Sequence, residues 1–262
     1  MLETRSRNSR IALQLIATLF VLPYLFPLGA MVQGSLLGEG LRNYQAVLSV
    51  PGVPLFFRNS LIIAVSTVLL VYVCTMTAAY GFSKLRIRNK EIFFWMILAA
   101  LTLPEVVLLT PLFVTATTLG LYDTFPAVIV PLAALQIPFT ILLARNFVDG
   151  VPDELVDAAR VDGATPLRVF WHIILPLTRP IAAAIVVLTF IGAWNDYLLP
   201  LVFLQSASAQ TVTLLPQFFI GQYNDDQTKV LASAVVAAIP AVIAYLLLQR
   251  SFERGMAAGV LK

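Results

Sequence analysis

Residues 59–83 read NSLIIAVSTVLLVYVCTMTAAYGFS, a run without charge bounded by Arg58 and Lys84. As an α-helix it rises about 37 Å, more than the ~30 Å hydrocarbon core of a bilayer. It is apolar all round, whereas a strand of a membrane barrel alternates over about ten residues, so it is expected to be helical. The chain around it repeats the pattern. No charge lies between Arg10 and Glu39, between Asp123 and Arg145, or between Lys229 and Arg250. Glu105 stands alone between Glu91 and Asp123, and Asp196 alone between Arg179 and Asp225. The expectation is an all-α polytopic membrane protein with six transmembrane helices, at about 11–32, 59–83, 92–117, 124–147, 180–204 and 230–249.

Composition agrees. Of 262 residues 59% are apolar and 12% charged, against about 25% charged in soluble chains, and the mean hydropathy is +0.88. A disordered chain, a disulfide scaffold and an ordinary soluble enzyme are excluded. Cys74 is the one cysteine and cannot form an internal bridge; His172 is the one histidine, which excludes a multi-histidine metal centre. Outer segments 33–58 and 205–229 are short, and no internal repeat is visible, so 1–262 is expected to form one membrane domain.

Basic residues set the orientation. Arg5, Arg7 and Arg10; Lys84, Arg86, Arg88 and Lys90; Arg145, Arg160, Arg168 and Arg179; and Arg250, Arg254 and Lys262 all fall on one side of a six-span chain. Only Arg42, Arg58 and Lys229 fall on the other. Both termini are expected in the cytoplasm. The same sidedness accounts for a pI of 9.1 without nucleic acid as a partner. The first apolar run is longer than the 7–15 residues of a signal core and no A-x-A site follows, so it is read as a span.

The longest cytoplasmic segment, about 145–179, is patterned. Val151-Pro152-Asp153-Glu154-Leu155-Val156-Asp157-Ala158-Ala159-Arg160-Val161-Asp162-Gly163 reads as a short helix. Pro152 is expected at its first position, acids fill its first turn and Gly163 stands at its left-handed stop. Thr165-Pro166 starts a second helix, on which Leu167, Phe170, Trp171 and Ile174 are expected to form one apolar face. Leu175-Pro176 closes it, and Pro180 opens the next span. On these residues alone two readings stand: an amphipathic hairpin lying on the lipid, or a docking element for a cytoplasmic partner.

Asp157-Ala158-Ala159, Gly163 and Ile173-x-Leu175-Pro176 resemble the EAA loop of importer permeases of the ATP-binding cassette class, with Asp157 where Glu is usual. The string Ala158–Pro166 is similar to the carbohydrate branch, in particular its maltose-type smaller permease. So are Asn43-Tyr44, Phe57–Ser60, Ala78–Tyr80, Leu103-Pro104, Pro111-Leu112, Leu119–Thr124, Trp194–Asp196 and Gln249–Phe252 with Gly255 and Gly259.

The resemblance implies a binding-protein-dependent importer of a sugar or oligosaccharide in a prokaryotic cytoplasmic membrane. It implies as partners a second similar permease, two cytoplasmic ATPase subunits and an extracytoplasmic binding protein docking on segments such as 33–58 and 205–229. Glycerol phosphates, sugar alcohols and other small polar solutes stand as alternative cargo. An ion-coupled secondary transporter or an intramembrane serine protease fits less well, since neither calls for such a loop and His172 lies outside the spans.

No G-x-x-x-x-G-K-[ST] loop occurs, so the chain is read as no enzyme, with no catalytic residue and no cofactor or metal of its own. ATP and Mg would sit on the partner ATPases. ATPase coupling is assigned to Asp157, Ala158, Ala159, Arg160, Asp162, Gly163, Leu167, Phe170, Ile173, Leu175 and Pro176, in a coupling loop of about 149–176. The tail 250–262 is expected to reach the ATPase pair. Polar residues within spans are candidates for the translocation path: Glu105, Gln136, Trp194, Asn195, Asp196 and Tyr197. Pro104 is expected to bend the third span by freeing the carbonyl of Ala100.

Overall fold

The computed structural model describes residues 7–221 and 226–260, with side chains over 11–221 and 226–249. In chain order the helices are α1 (Arg7–Ser35), α2 (Arg42–Leu48), α3 (Val53–Lys84), α4 (Lys90–Ala99), α5 (Glu105–Thr118), α6 (Pro126–Asp149), α7 (Asp153–Val161), α8 (Pro166–Val169), α9 (Leu175–Leu177), α10 (Arg179–Asn195), α11 (Leu198–Phe203) and α12 (Gln227–Val260). They divide between two compact units, Met1–Pro51 with Leu215–Ala237, and Gly52–Leu214 with Ala238–Lys262.

In the first unit the apolar window of α1 buries nothing within the chain. Leu19, Phe20, Tyr24 and Phe26 all face outward, as suits a helix whose solvent is lipid or a partner subunit. Its C-terminal carbonyls are caught by one side chain: buried Asn43 donates to Ser35 O and Leu37 O, both at 2.9 Å. Ser35 and Tyr44 hydroxyls meet at 2.6 Å. A Cβ on Gly34 would stand 2.6 Å from Leu231 Cδ1, the mobile end of that side chain, so glycine here lets Leu231 pack close without turning aside. Asp226 caps α12 by accepting from Lys229 N at 3.2 Å. The Lys229 ammonium, then the Thr228 hydroxyl, hold its carboxyl down at about 2.

The second unit is built on α3, which packs along α6 and α10. Small side chains at the contacts, Ala79, Ala133, Ala144 and Ala184, are buried with Val71, Met76, Val148 and Ile185 and let the backbones approach closely. Thr75 and Thr140 hydroxyls bond to each other across α3 and α6 at 2.7 Å, because a hydroxyl in a dry interior needs a partner.

Among the described residues, four helices are long and apolar enough to cross a bilayer: Ile11–Ser35, Val53–Lys84, Pro126–Asp149 and Gln227–Gln249. The other two expected spans are not single rods. The stretch expected at 92–117 turns through 103° between Lys90–Thr102 and Glu105–Thr118. Pro104 is responsible, and the Ala100 carbonyl it frees accepts from Leu103 N at 3.1 Å. The stretch expected at 180–204 is helical only to Asn195; Asp196 is extended at φ −65°, ψ 131°, and α11 starts afresh. At its other end α10 meets Pro166–Leu177 at 77°.

α3 is gripped near both ends. Close to its N-terminus buried Asn59 donates to Ser208 O and Gln210 O at 2.8 and 2.9 Å, and Ser60 Oγ accepts from Val212 N at 2.9 Å. Asp123, at φ 60°, adds to the order of the same loop by accepting from Gln205 N, Ser206 N and the Ser206 hydroxyl. Those bonds, the hydroxyl's foremost, hold its carboxyl below the usual carboxylate range.

Candidate functional site

The elbow between α6 and α10 is closed by local chemistry. Pro152 is the N-cap of α7, one residue earlier than the expected first helical position; Asp153 and Glu154 then occupy the first turn facing the positive end of the dipole. At the far end Gly163 sits at φ +77°. Ala164 N donates to Ala159 O at 2.9 Å and Gly163 N to Arg160 O at 3.0 Å, the paired bonds of a Schellman stop. Thr165 then caps α8, its hydroxyl accepting from Arg168 N at 3.4 Å. The reversal between the two short helices is therefore written in Gly163, Thr165 and Pro166.

Long-range bonds fasten the elbow to α3. Lys84, buried at the helix end, donates to Val151 O at 2.7 Å and to Asp153 Oδ1 at 2.6 Å. Arg160 returns a bond to Lys84 O at 3.1 Å and pairs with Asp157 at 3.0 Å. Tyr80 donates to Pro166 O at 3.0 Å and its ring lies 5.5 Å from that of Phe170. The bond from Lys84, then its charge, keeps the Asp153 carboxyl below the usual range. Sequence reading did not single out Lys84, Tyr80 or Asp153 for this role. Their traces were Lys84 in a basic loop, Tyr80 in the Ala-Ala-Tyr match and Asp153 as a first-turn acid of the loop helix.

The expected apolar face of the second loop helix is split. Phe170 and Ile174 are buried with Val169, while Leu167 and Trp171 are exposed. A π-turn over Phe170–Ile174 widens the helix, so an i, i+3, i+4, i+7 stripe no longer shares one side. Ile173 and Leu175 pack against the core and Pro176 is exposed. On α7, Val156 points inward, whereas Asp157, Ala158 and Arg160 are exposed and Ala159 is half-buried. Val161, 89% exposed, is an apolar side chain the sequence reading did not mark, beside exposed Asp162 and Gly163. His172, exposed, donates from Nδ1 to Arg168 O at 3.0 Å. Side chains of the tail 250–262 lie outside the described residues.

The polar residues of the spans gather at the breaks. Glu105 opens α5 and Asp196 follows α10. These two acids, isolated in sequence, lie close enough for each to feel the other's charge. Asp196 also accepts from Leu199 N at 3.2 Å, and its carbonyl accepts from Thr213 at 2.8 Å. Glu105 Oε1 is buried without a partner. Gln136 lies over Gly192, where an added Cβ would come within 3.2 Å of its Oε1.

Trp194 lies at the end of α10. It is buried, stacked on Phe190 at 5.7 Å and tilted against Phe57 at 6.3 Å. Asn195 and Tyr197 are exposed on either side of half-buried Asp196. The run Trp194–Tyr197 thus straddles the end of a helix instead of lying within one.

Residues 72–258 match the family model described as binding-protein-dependent transport system inner membrane component. The chain is similar to the probable ABC transporter permease protein YurM of Bacillus subtilis, 35% identical across 80% of this chain and 70% of that one. It is also similar to the lactose transport system permease protein LacG of Rhizobium radiobacter, 32% identical across 88% and 83%. Among solved structures, a chain of a bacterial ABC transporter importing the acidic polysaccharide alginate shares the fold. The TM-score is 0.77 with 24% identity, covering 95% of this chain and 99% of that one.

Proposed function

The chain belongs to the family of binding-protein-dependent transport system inner membrane components, and from that premise we propose that it is the permease subunit of an ATP-driven importer carrying a sugar or short oligosaccharide. Membership makes it an inner-membrane protein, and the similarity to a lactose permease supports the cargo. Energy then comes from partner ATPases holding ATP and Mg, a binding protein delivers the cargo, and a second permease completes the path. Both termini face the cytoplasm, as the basic residues imply.

One observation carries the coupling role. The elbow is stiff inside and open outside. Gly163 closes its turn, and Lys84 and Tyr80 fasten it to α3, while Asp157, Ala158, Val161 and Asp162 face outward. A segment that is rigid yet exposes a small and apolar surface can seat in a partner and pass a displacement to α3 and α10. Gly163, Phe170, Ile173, Leu175 and Pro176 serve that rigidity; Asp157 to Asp162, Leu167 and the open side of Arg160 serve contact. At the span breaks, the Glu105–Asp196 pair, Gln136, Asn195 and Tyr197 supply polar groups for the path.

Substitution at Gly163 tests this reading. Nothing stands within 4 Å of an added Cβ there, so only the positive φ resists a side chain. Gly163→Val should cost about 1–2 kcal/mol in that conformation and uncouple ATP hydrolysis from uptake in reconstituted vesicles. Gly163→Asn, which tolerates the left-handed region, should keep the two coupled. Equal coupling in both variants would remove the elbow from the mechanism.

A further inference from the structure

We propose that the crevice between the end of α3, the start of α4 and the inner side of α7 is a binding site for an anionic phospholipid, with the phosphate in the crevice and an acyl chain in the apolar groove that continues from it. The polar part is a cleft of about 290 Å³ that includes Ser83, Lys84, Arg86, Lys90, Asp153 and Arg160 in its walls. Its charges are unevenly committed. Lys84 is bound to Asp153, and Arg160 is paired with Asp157. Both carboxylates in the walls are thereby answered, and two cations remain without one. Lys90 donates to two backbone carbonyls, Ser83 O at 3.2 Å and Leu85 O at 3.1 Å, which leaves one ammonium donor open. Arg86 is exposed and has no carboxylate partner among the described residues. The Ser83 hydroxyl, buried in the same wall, is without a partner. An ammonium, a guanidinium and a hydroxyl around one space are the donors a phosphate takes.

The second observation is what adjoins the cleft. Leu85 belongs to both the cleft and an apolar groove of about 370 Å³ that runs between α3 and the second loop helix past Tyr80, Thr77, Leu167, Phe170 and Trp171. A smaller hollow of about 70 Å³ extends it along Met76, Val73 and Tyr72. From Lys84 to Val73 the helix rises about 16 Å, close to half of a ~30 Å hydrocarbon core. Polar donors thus lie at the helix end and a greasy channel one leaflet long lies behind them, in the order in which a phospholipid presents its phosphate and chain. A basic pocket beside spans on the cytoplasmic side suits anionic lipid. The site shares Arg160, Leu167 and Phe170 with the coupling elbow, whereas Arg86 and Lys90 belong to the cleft and have no part in the coupling assigned above.

The assembled transporter, purified in detergent, is titrated with short-chain phosphatidylglycerol, with phosphatidylcholine of equal chain length and with inorganic phosphate, following the unfolding temperature. Phosphatidylglycerol should raise it in a saturable way, phosphatidylcholine much less and phosphate alone not at all. Removing one surface cation weakens such binding about fivefold and two about thirtyfold. Arg86→Gln should therefore show the first loss, and Arg86→Gln with Lys90→Gln the second. The Arg86 side chain makes no bond among the described residues, so the single variant remains a fair test where the double variant unfolds. Equal shifts from both lipids, a full shift with phosphate alone, or unaltered phosphatidylglycerol affinity in Arg86→Gln would each overturn the site. So would protection of the cleft by the ATPase in a complex stripped of lipid.

Discussion

α3 is held at one end by neutral groups and at the other by charge. Near its start, Asn59 and Ser60 bond only to backbone atoms of the 208–212 segment. Near its finish, Lys84 grips Val151 and Asp153, and Arg160 grips Lys84 in return. The N-terminal clasp is buried, with Asn59 fully enclosed, whereas Asp153 keeps 78% of its side chain exposed. A buried amide between carbonyls makes a fixed hinge point. An ion pair half in water is screened by salt, weakened by acid and open to exchange with other charges. The difference teaches where motion can enter: the N-terminal end of α3 is anchored, and the C-terminal end is fastened by bonds a partner could rearrange.

Breaking the N-terminal clasp should cost most. Asn59→Ala leaves two carbonyls without their donor and should destabilise the protein by about 2–4 kcal/mol, read as unfolding in detergent. A loss below ~1 kcal/mol would mean the clasp is replaced by water. At the C-terminal end Lys84→Met should cost about 2 kcal/mol through the orphaned Val151 carbonyl, and should lower uptake more than insertion. The ionic half of that clasp also predicts a pH effect. The folded carboxyl of Asp153 lies below its ordinary value of 3.8, so its contribution is complete above that pH and lost as pH falls through the lower folded value. Asp153→Asn should abolish that acid-dependent component while leaving the N-terminal clasp untouched. Tyr80→Phe, which removes one bond to Pro166 O, should cost about 1 kcal/mol and loosen only the elbow, visible as faster amide exchange over α8.

The elbow was legible because its signals are local. Proline, acids, glycine and Thr-Pro each act within a turn, and α7 begins and ends within a residue of where they point. Membrane spans were legible as lengths of missing charge, since the bilayer imposes a length. Direction was not. Hydropathy is blind to a 103° turn inside an apolar run, although Pro104 marked its place. The break after Asn195 is marked in sequence by Pro200, which leaves the Asp196 carbonyl without a helical donor and open to Thr213, while Leu199 N bonds the Asp196 carboxyl. The meeting of Glu105 with Asp196 and of Lys84 with Asp153 depends on how helices distant in sequence pack. Helical spacing placed Leu167 and Trp171 with Phe170 and Ile174, and a single wide turn separated them.

Site-directed crosslinking from Ala158→Cys, in a Cys74→Ala background, within a complex of demonstrated uptake activity, tests the coupling role most directly. The account predicts capture of the ATPase subunit, in a yield that changes between nucleotide-free and ATP-bound complexes. Absence of any such adduct in a complex that still transports would contradict it.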